Sequence, residues 1–437
     1  MCKNYFGVFL LSGLTVISGY SQGNVTQKIS LGDAVSMGLK NNLEIQIAKN
    51  EVEAADILNH YGVAGGLPTV AIAASNTEQI NNINQRLSNG TVIERKGAAG
   101  NNTAISLGAG ILLYNGKRVV ATKNRLEQLH LQSKESLNSE IQNLIAQINN
   151  TYYDIVRQQS YVKTIDQSII ASEKRLEILE ARRSAGLANN TDMFQAQIDL
   201  NALIQNRKSQ DLVVGVAKTE LLRLLNMDPQ QSIAVEDTIV VDKQVELPDI
   251  LDQLRSNPDL RSANQQVRIQ ELVALEIKAL RYPTVRFNLG YNYSRNQSAA
   301  GFNLLNQSNG PNANISLNIP IYNGSAFKRQ QHVAEIDVSN ARIQYQSLER
   351  DYSSQAVKTY QSYRNALEQL ALETKNYEIS SQLLDLTLQR FELIQATIID
   401  LREAQKSFEE AGYRLVNLSF AAKVAEIEMK RMVSLLE

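Results

Sequence analysis

The 437-residue chain has no tryptophan, only seven prolines and three histidines, and a single cysteine at position 2. One cysteine at the extreme N-terminus supplies neither a disulfide framework nor a thiol active site for a mature protein. His60, His130 and His332 are scattered, and no HExxH or cysteine cluster accompanies them, so a zinc motif is excluded. Gly110 and Gly116-Lys117-Arg118 fail as a phosphate loop, because Arg118 stands where Ser or Thr is required. Lys and Arg number 44 against 45 Asp and Glu, which leaves no basic field for nucleic acid and no acidic tail. No enzymatic activity and no cofactor is expected. Nothing approaches the roughly 18 consecutive apolar residues of a transmembrane helix, so any membrane role falls to β-strands. The last absence is the most informative: residues 117–185 and 325–411 contain neither Gly nor Pro.

A helix over the first of those stretches spans about 100 Å at about 1.5 Å per residue. Its apolar stripe, Ile141, Leu144, Ile145, Ile148, Tyr152 and Ile155, has i, i+3, i+4, i+7 spacing. Uncapped patterns longer than about 25 residues point to coiled coil. Each long helix returns, antiparallel, through a turn near Gly186–Asn190 or Gln395–Ile398. At the N-terminus, Lys3, the apolar run Phe6–Ile17 and Gly19-Tyr20-Ser21 read as a secretory signal with a small-x-small cleavage site. Cys2 precedes that run, so no lipoprotein anchor is expected.

The chain is also written twice. Asn42-Leu43-Glu44-Ile45 aligns with Asn257-Pro258-Asp259-Leu260, and Leu67-Pro68-Thr69-Val70 with Tyr282-Pro283-Thr284-Val285, both at an offset of 215. Further on the offset is 208: Tyr114-Asn115-Gly116 matches Tyr322-Asn323-Gly324, Tyr152 matches Tyr360, and Asp192 matches Asp400. The length change of seven lies between the paired Pro and Tyr-Asn-Gly landmarks, where a surface loop is expected. These landmarks give a signal peptide (1–21), a first repeat (22–230), a linker (231–247) and a second repeat (248–437). The first repeat reads as an opening helix over about 31–62, a β-hairpin over about 68–114, a long helix 117–185, a tip and a helix 192–226. The second reads as an opening helix over about 248–280, a hairpin over about 283–322, a long helix 325–393, a tip and a helix 399–437.

The hairpins alternate with period two. Val285, Phe287, Leu289, Tyr291 and Tyr293 interleave with Arg286, Asn288, Gly290, Asn292 and Ser294, and Ile315, Leu317, Ile319 and Ile321 follow a Ser/Asn/Gly-rich loop. In the first repeat Val70, Ile72 and Ala74 form the weaker strand and Ile105, Leu107, Ala109, Ile111 and Leu113 the clearer one. Strands of about ten residues with one apolar face suit a bilayer, with Tyr114, Tyr322, Tyr291 and Tyr293 as interfacial girdles. The same alternation also suits a soluble sheet with one wet face. Four strands cannot close around a pore, and open edges cannot lie in hydrocarbon, so a membrane reading requires several chains to pool strands. A trimer's twelve satisfies that.

These features together resemble the TolC family of outer-membrane efflux and secretion ducts. The resemblance rests on Arg182-Arg183-Ser184-Ala185-Gly186-Leu187 and Thr191-Asp192-Met193-Phe194-Gln195-Ala196-Gln197 at the first tip. Arg390-Phe391 to Asp400-Leu401-Arg402-Glu403-Ala404-Gln405 repeats the motif at the second, and Leu113–Gly116 and Ile321–Gly324 resemble the family's strand exit. The resemblance implies an α+β membrane protein: a homotrimer with a 12-stranded β-barrel in the outer membrane of a Gram-negative bacterium, above an α-helical periplasmic tunnel. A periplasmic adaptor and an inner-membrane pump are its implied partners, and drugs or metal ions its implied cargo. Type I protein secretion is the alternative within the family. A secreted coiled-coil adhesin or other structural protein is the alternative outside it, and it leaves the duplicated amphipathic strand pairs unaccounted for. The chain departs from the family pattern at Phe391, usually Tyr, and Ile394, usually Gly.

Asp400 and Glu403, three apart, point to one helix face just inside the second tip. In a trimer they make two stacked acidic rings, the arrangement of cation-selective constrictions, and the family's equivalent positions line the periplasmic entrance. The competing reading is an N-terminal helix charge at Asp400 favoured by the macrodipole and a solvated Glu403. At the first tip Gly186 suits a left-handed C-cap, Asn189 or Asn190 tolerates the left-handed region, and Thr191 suits the next N-cap. The resemblance places Arg182, Gly186, Leu187, Asp192 and Arg390 at the tip, in adaptor contacts.

Overall fold

The computed structural model describes residues 27–436; the expected signal peptide lies outside them. In chain order the elements are β1 (Gln27–Lys28), α1 (Leu31–Asn41), α2 (Leu43–Leu58), β2 (Thr69–Arg86), β3 (Val92–Tyr114), α3 (Arg118–Ser184) and α4 (Asn190–Leu224). The second half follows with β4 (Ile233–Ala234), α5 (Leu247–Gln253), a single 3-10 turn (Leu254–Ser256), α6 (Pro258–Ala279), β5 (Thr284–Ser298), β6 (Leu305–Asn318), α7 (Ala326–Glu392) and α8 (Ile398–Met432). Helices α3 and α7 are each 67 residues long, about 100 Å at about 1.5 Å per residue. No described helix is long and apolar enough to cross a membrane.

Each opening helix is broken in two, where the sequence pattern suggested one. The breaks fall at Asn42 and Asn257, and the cause is a side chain doing two jobs. Asn42 Oδ1 accepts from the amides of Glu44 and Ile45, which caps α2, while its Nδ2 donates to the Leu224 carbonyl at the end of α4. Asn257 does the same for α6, accepting from Asp259 and Leu260 and donating to the Met432 carbonyl of α8. Both residues are buried, so each satisfies donors at one helix start and an orphan carbonyl at another helix end.

The four long strands form one antiparallel sheet in the order β2-β3-β5-β6. They run 18, 23, 15 and 14 residues, longer than the ten expected. Pairing continues through Asn, Gln and Ser residues, which supply ladder hydrogen bonds as well as apolar residues do. The seven extra residues of the first hairpin therefore extend its strands rather than its loop.

Three apolar cores hold the helices. At mid-height the stripe Leu144, Ile145, Ile148, Tyr152 and Ile155 of α3 packs with Leu221, Leu222 and Leu225, and is covered by Ile29 and Ile233. Ile233 belongs to, and Ile29 follows, a short parallel β1–β4 pair, which ties Gln27–Lys28 to the linker between the repeats. The second repeat builds its counterpart from Ile250, Leu254, Ala356, Tyr363, Met429 and Met432. Toward the tips a third core gathers Leu179, Ala196, Phe391, Leu401 and Phe408, joining the two helical hairpins.

Candidate functional site: a two-faced sheet and a pair of helical tips

Register fixes which strand residues share a face, since side chains alternate across a sheet. One row contains Ile72, Leu107, Tyr291 and Pro311; the next contains Val70, Ala109, Leu289 and Ala313. Ile111, Phe287 and Ile315 continue this face downward. Nothing among the described residues covers it: Ile72 is 73% exposed and Ile315 69%. The opposite face has Thr69, Gly110, Asn288 and Asn314 in one row and Ala73, Ser106, Asn292 and Gly310 in another. Amides, hydroxyls and glycines dominate it, and from the row of Thr77, Asn102, Asn296 and Asn306 down, Arg286 is its one charge. The outer strands β2 and β6 pair on one side only among the described residues. A sheet that exposes an apolar face as fully as a polar one and leaves both edges unpaired is incomplete as a single chain.

The two tips close by the same backbone device with different residues. At the first, the Leu187 amide donates to the Arg182 carbonyl at 2.8 Å and the Gly186 amide to the Arg183 carbonyl at 2.9 Å, with Gly186 at φ +73°. At the second, Gln395 donates to Arg390 at 2.7 Å and Ile394 to Phe391 at 3.2 Å, with Ile394 at φ +62°. This is a Schellman closure, whose left-handed residue is normally glycine. A β-branched side chain there is strained. Asn189 and Asn190 tolerate the left-handed form, but neither takes it. Asn189 is extended and caps α4 by accepting from the Asp192 amide at 2.8 Å, which displaces Thr191 from the cap it was expected to hold.

Asp400 is the third residue of α8 and completes a capping box. Its Oδ2 accepts from the Thr397 amide at 2.9 Å and the Thr397 hydroxyl at 2.8 Å, while the Asp400 amide donates back to that hydroxyl. These bonds, helped by Arg390, hold its carboxyl below the ordinary value. The helix-terminus role weighed for Asp400 is therefore present. Its second oxygen remains free, and Asp400 and Glu403 are both exposed. Leu187 is 68% exposed, Arg390 donates to the Gln395 carbonyl at 3.2 Å, and Asp192 is half-buried. Arg182 is drawn inward, with its guanidinium stacked 4.3 Å from the centre of the Phe391 ring.

Above the tips lies a polar layer that sequence inspection did not single out. Gln405 Nε2 donates to the Ser168 carbonyl at 3.2 Å and to the Ser172 hydroxyl at 3.0 Å, joining α8 to α3. Arg175 is fully buried beside them and donates to Asp199 on α4 at 2.9 Å. Burial pulls its guanidinium below the ordinary value, against the opposing pull of Asp199. The available signal was a run of polar residues at helical positions where the stripe calls for apolar ones.

A family model described as outer membrane efflux protein matches residues 34–226 and 250–434. The outer membrane protein TolC of Vibrio cholerae is 23% identical over 315 residues, 68% of either chain. Among solved structures, CusC superposes with a TM-score of 0.77 at 16% identity, covering 92% of this chain and 91% of that one. The outer membrane protein VceC from Vibrio cholerae gives 0.74 at 17% identity, covering 92% and 95%.

Proposed function

The chain belongs to the outer membrane efflux protein family, and from that membership we propose that it is the passive exit duct of a three-part efflux system. Three copies pool their strands into a twelve-stranded barrel in the outer membrane of a Gram-negative bacterium. Their helices continue it as a tunnel into the periplasm, where a periplasmic adaptor and an inner-membrane pump deliver small molecules, drugs or metal ions. The observation that carries this reading is the unfinished sheet directly above helices about 100 Å long.

The sheet's dimensions support it. From Val285 to Tyr293 the apolar face rises about 27 Å along the strand, or about 20 Å at a tilt of about 40°. Turned outward, that face meets lipid and places the amide-rich face on the lumen, with three copies of Arg286 as its one charged ring from the row of Thr77, Asn102, Asn296 and Asn306 down. Internal repetition supports a closed ring as well. The offsets that carry the first repeat onto the second carry β3·β5 onto β6 and the β2 of a neighbour. They likewise carry α3·α6 onto α7 and a neighbour's α2. An added Cβ at Gly116 meets Tyr282 Cβ at 2.6 Å, whereas nothing among the described residues comes within 4 Å of one at Gly324. A neighbouring copy's Leu67, the counterpart of Tyr282, fills that space.

At the tips, Asp400 and Glu403 form the acidic entrance, and Arg182, Gly186, Leu187, Asp192 and Arg390 the surface an adaptor meets. Single-channel conductance in a planar bilayer tests the reading, wild type beside Asp400→Asn/Glu403→Gln. Small cation-selective openings that lose selectivity in the variant are expected. Unchanged selectivity moves the constriction away from the tips, and a folded trimer that never conducts, even with its tips opened, removes the duct.

A further inference from the structure

Just below the central strands β3 and β5, the chain carries a groove between the start of α3 and the end of α6. It encloses about 420 Å³ and is lined by Tyr114, Lys117, Val120, Leu275, Lys278 and Tyr282. Ala121 and Ala279 form its buried floor, while Val120 and Leu275 stand about half exposed on its walls. Tyr114 pairs with Val285 and so continues the apolar face of the sheet into the groove. Lys117 and Lys278 make no ion pair among the described residues. An apolar slot with two unpaired cations, continuous with a hydrocarbon-facing surface, matches an amphiphile with an anionic head.

We propose that this groove binds one anionic glycerophospholipid of the periplasm-facing leaflet. Its phosphate sits between Lys117 and Lys278, and a hydrocarbon chain lies against Tyr114, Leu275 and Tyr282. The proposal rests on the outer-membrane reading above. The site lies under the two central strands, so copies that join through β2 and β6 leave it open to lipid. It is also confined to one of the two repeats. At the offsets of 208 and 215, Lys117 corresponds to Ser325 and Lys278 to Val63, while the apolar Val120 and Ala121 correspond to Lys328 and Arg329, so the equivalent groove between copies carries charge on its wall and floor instead of an apolar slot between two lysines. A trimer therefore has three such sites and not six.

The test is native mass spectrometry of the trimer released from phosphatidylcholine nanodiscs that contain phosphatidylglycerol. Wild type retains up to three phosphatidylglycerol molecules per trimer. Lys117→Asn/Lys278→Gln reduces that retention about thirtyfold, the product expected of two membrane-surface lysines. Lys278→Gln alone, which leaves the left-handed backbone at Lys117 untouched, gives an intermediate loss. Equal retention in a variant that still inserts and conducts, or six lipids per trimer, overturns the groove while leaving the duct intact. A chain that does not enter nanodiscs at all overturns both.

Discussion

The guanidinium of Arg182, at the end of α3, stacks on the ring of Phe391, at the end of α7, and so ties the two helical tips of one chain together. Phe391 is 1% exposed and packs with Leu401 and Phe408, which makes it the hinge pin of the tip core. Phe391→Ala removes that packing and should cost about 3–5 kcal/mol locally. Arg182→Met keeps the stem in place and removes only the cation, for about 1 kcal/mol. In bilayer recordings Phe391→Ala is expected to raise open-state conductance or its frequency well beyond Arg182→Met. Equal effects would show that the cation rather than the ring holds the tips.

Ile394 occupies a left-handed position that Gly186 fills at the other tip. The left-handed form costs a side-chain-bearing residue about 1–2 kcal/mol, and glycine gives back about 0.5–1 kcal/mol in unfolded-state entropy. Ile394→Gly should therefore strengthen the second tip by about 0.5–1 kcal/mol, and Gly186→Ile should weaken the first. Slower amide exchange over residues 391–398 in Ile394→Gly, with no change at 183–190, is the expected pattern. Faster exchange would mean that the exposed Ile394 side chain contributes contacts outweighing its backbone strain.

Asn257 is worth more than an ordinary helix cap, because it also donates to a buried carbonyl on another helix. Asn257→Ala loses about 1 kcal/mol for the cap and about 1–3 kcal/mol for the unpaired Met432 carbonyl. Asn257→Asp keeps the acceptor that caps α6 and loses the donor, so its penalty separates the two contributions. Denaturant midpoints for the pair, with Asn42→Ala as the repeat-equivalent control, provide the measurement.

The repeat, the long helices and the sheet faces were legible because each is encoded locally, residue by residue, in periodicity and in missing Gly and Pro. Asn42 and Asn257 stood out as repeat landmarks, but their role depends on carbonyls 182 and 175 residues away. The upper strands escaped notice because Asn76, Thr77, Asn102 and Asn306 are polar on both faces and leave no alternation. The Ser168, Ser172, Arg175 and Gln405 layer is invisible for the same reason as the caps: only folding brings α3 and α8 together. At the tips the motif itself was readable, yet Asp400 proved to be a capping residue with one oxygen to spare.

Glu409 lies beside Gln405 in that layer, and burial raises its carboxyl above the ordinary value. The folded protein therefore holds this proton more tightly than the unfolded chain does. The contribution of Glu409 to stability is greatest below the unfolded value of about 4.3 and is lost as pH rises through its folded value. Glu409→Gln mimics the protonated form. It should exceed wild type in thermal stability at about pH 8, with the gap closing by about pH 4. A gap independent of pH would assign the effect to packing.

The repeat sets the register of the barrel proposed for three pooled copies. Within the chain β3 pairs with β5 so that Ser106 faces Asn292 and Gly108 faces Gly290. Shifting β3 by 208 gives β6, and shifting β5 back by 215 gives β2, so Ser316 of one copy should face Ser75 of the next. One position along, Leu317 should face Ala74, both on the apolar side. Directly opposed residues on neighbouring antiparallel strands have Cβ atoms about 4.5–5.5 Å apart, within reach of modest adjustment to a disulfide. The one native cysteine lies at position 2, in the expected signal peptide, so the background is clean. Ala74→Cys/Leu317→Cys should oxidise to a covalent trimer that withstands boiling and separates on reduction, while either single variant stays monomeric when denatured. A control at Ile72→Cys/Leu317→Cys shifts the pair by two residues and should crosslink poorly. Efficient crosslinking of the control and not of the Ala74 pair would mean that closure between copies abandons the register the repeats share, and the ring would then owe its shape to the helices rather than to the sheet.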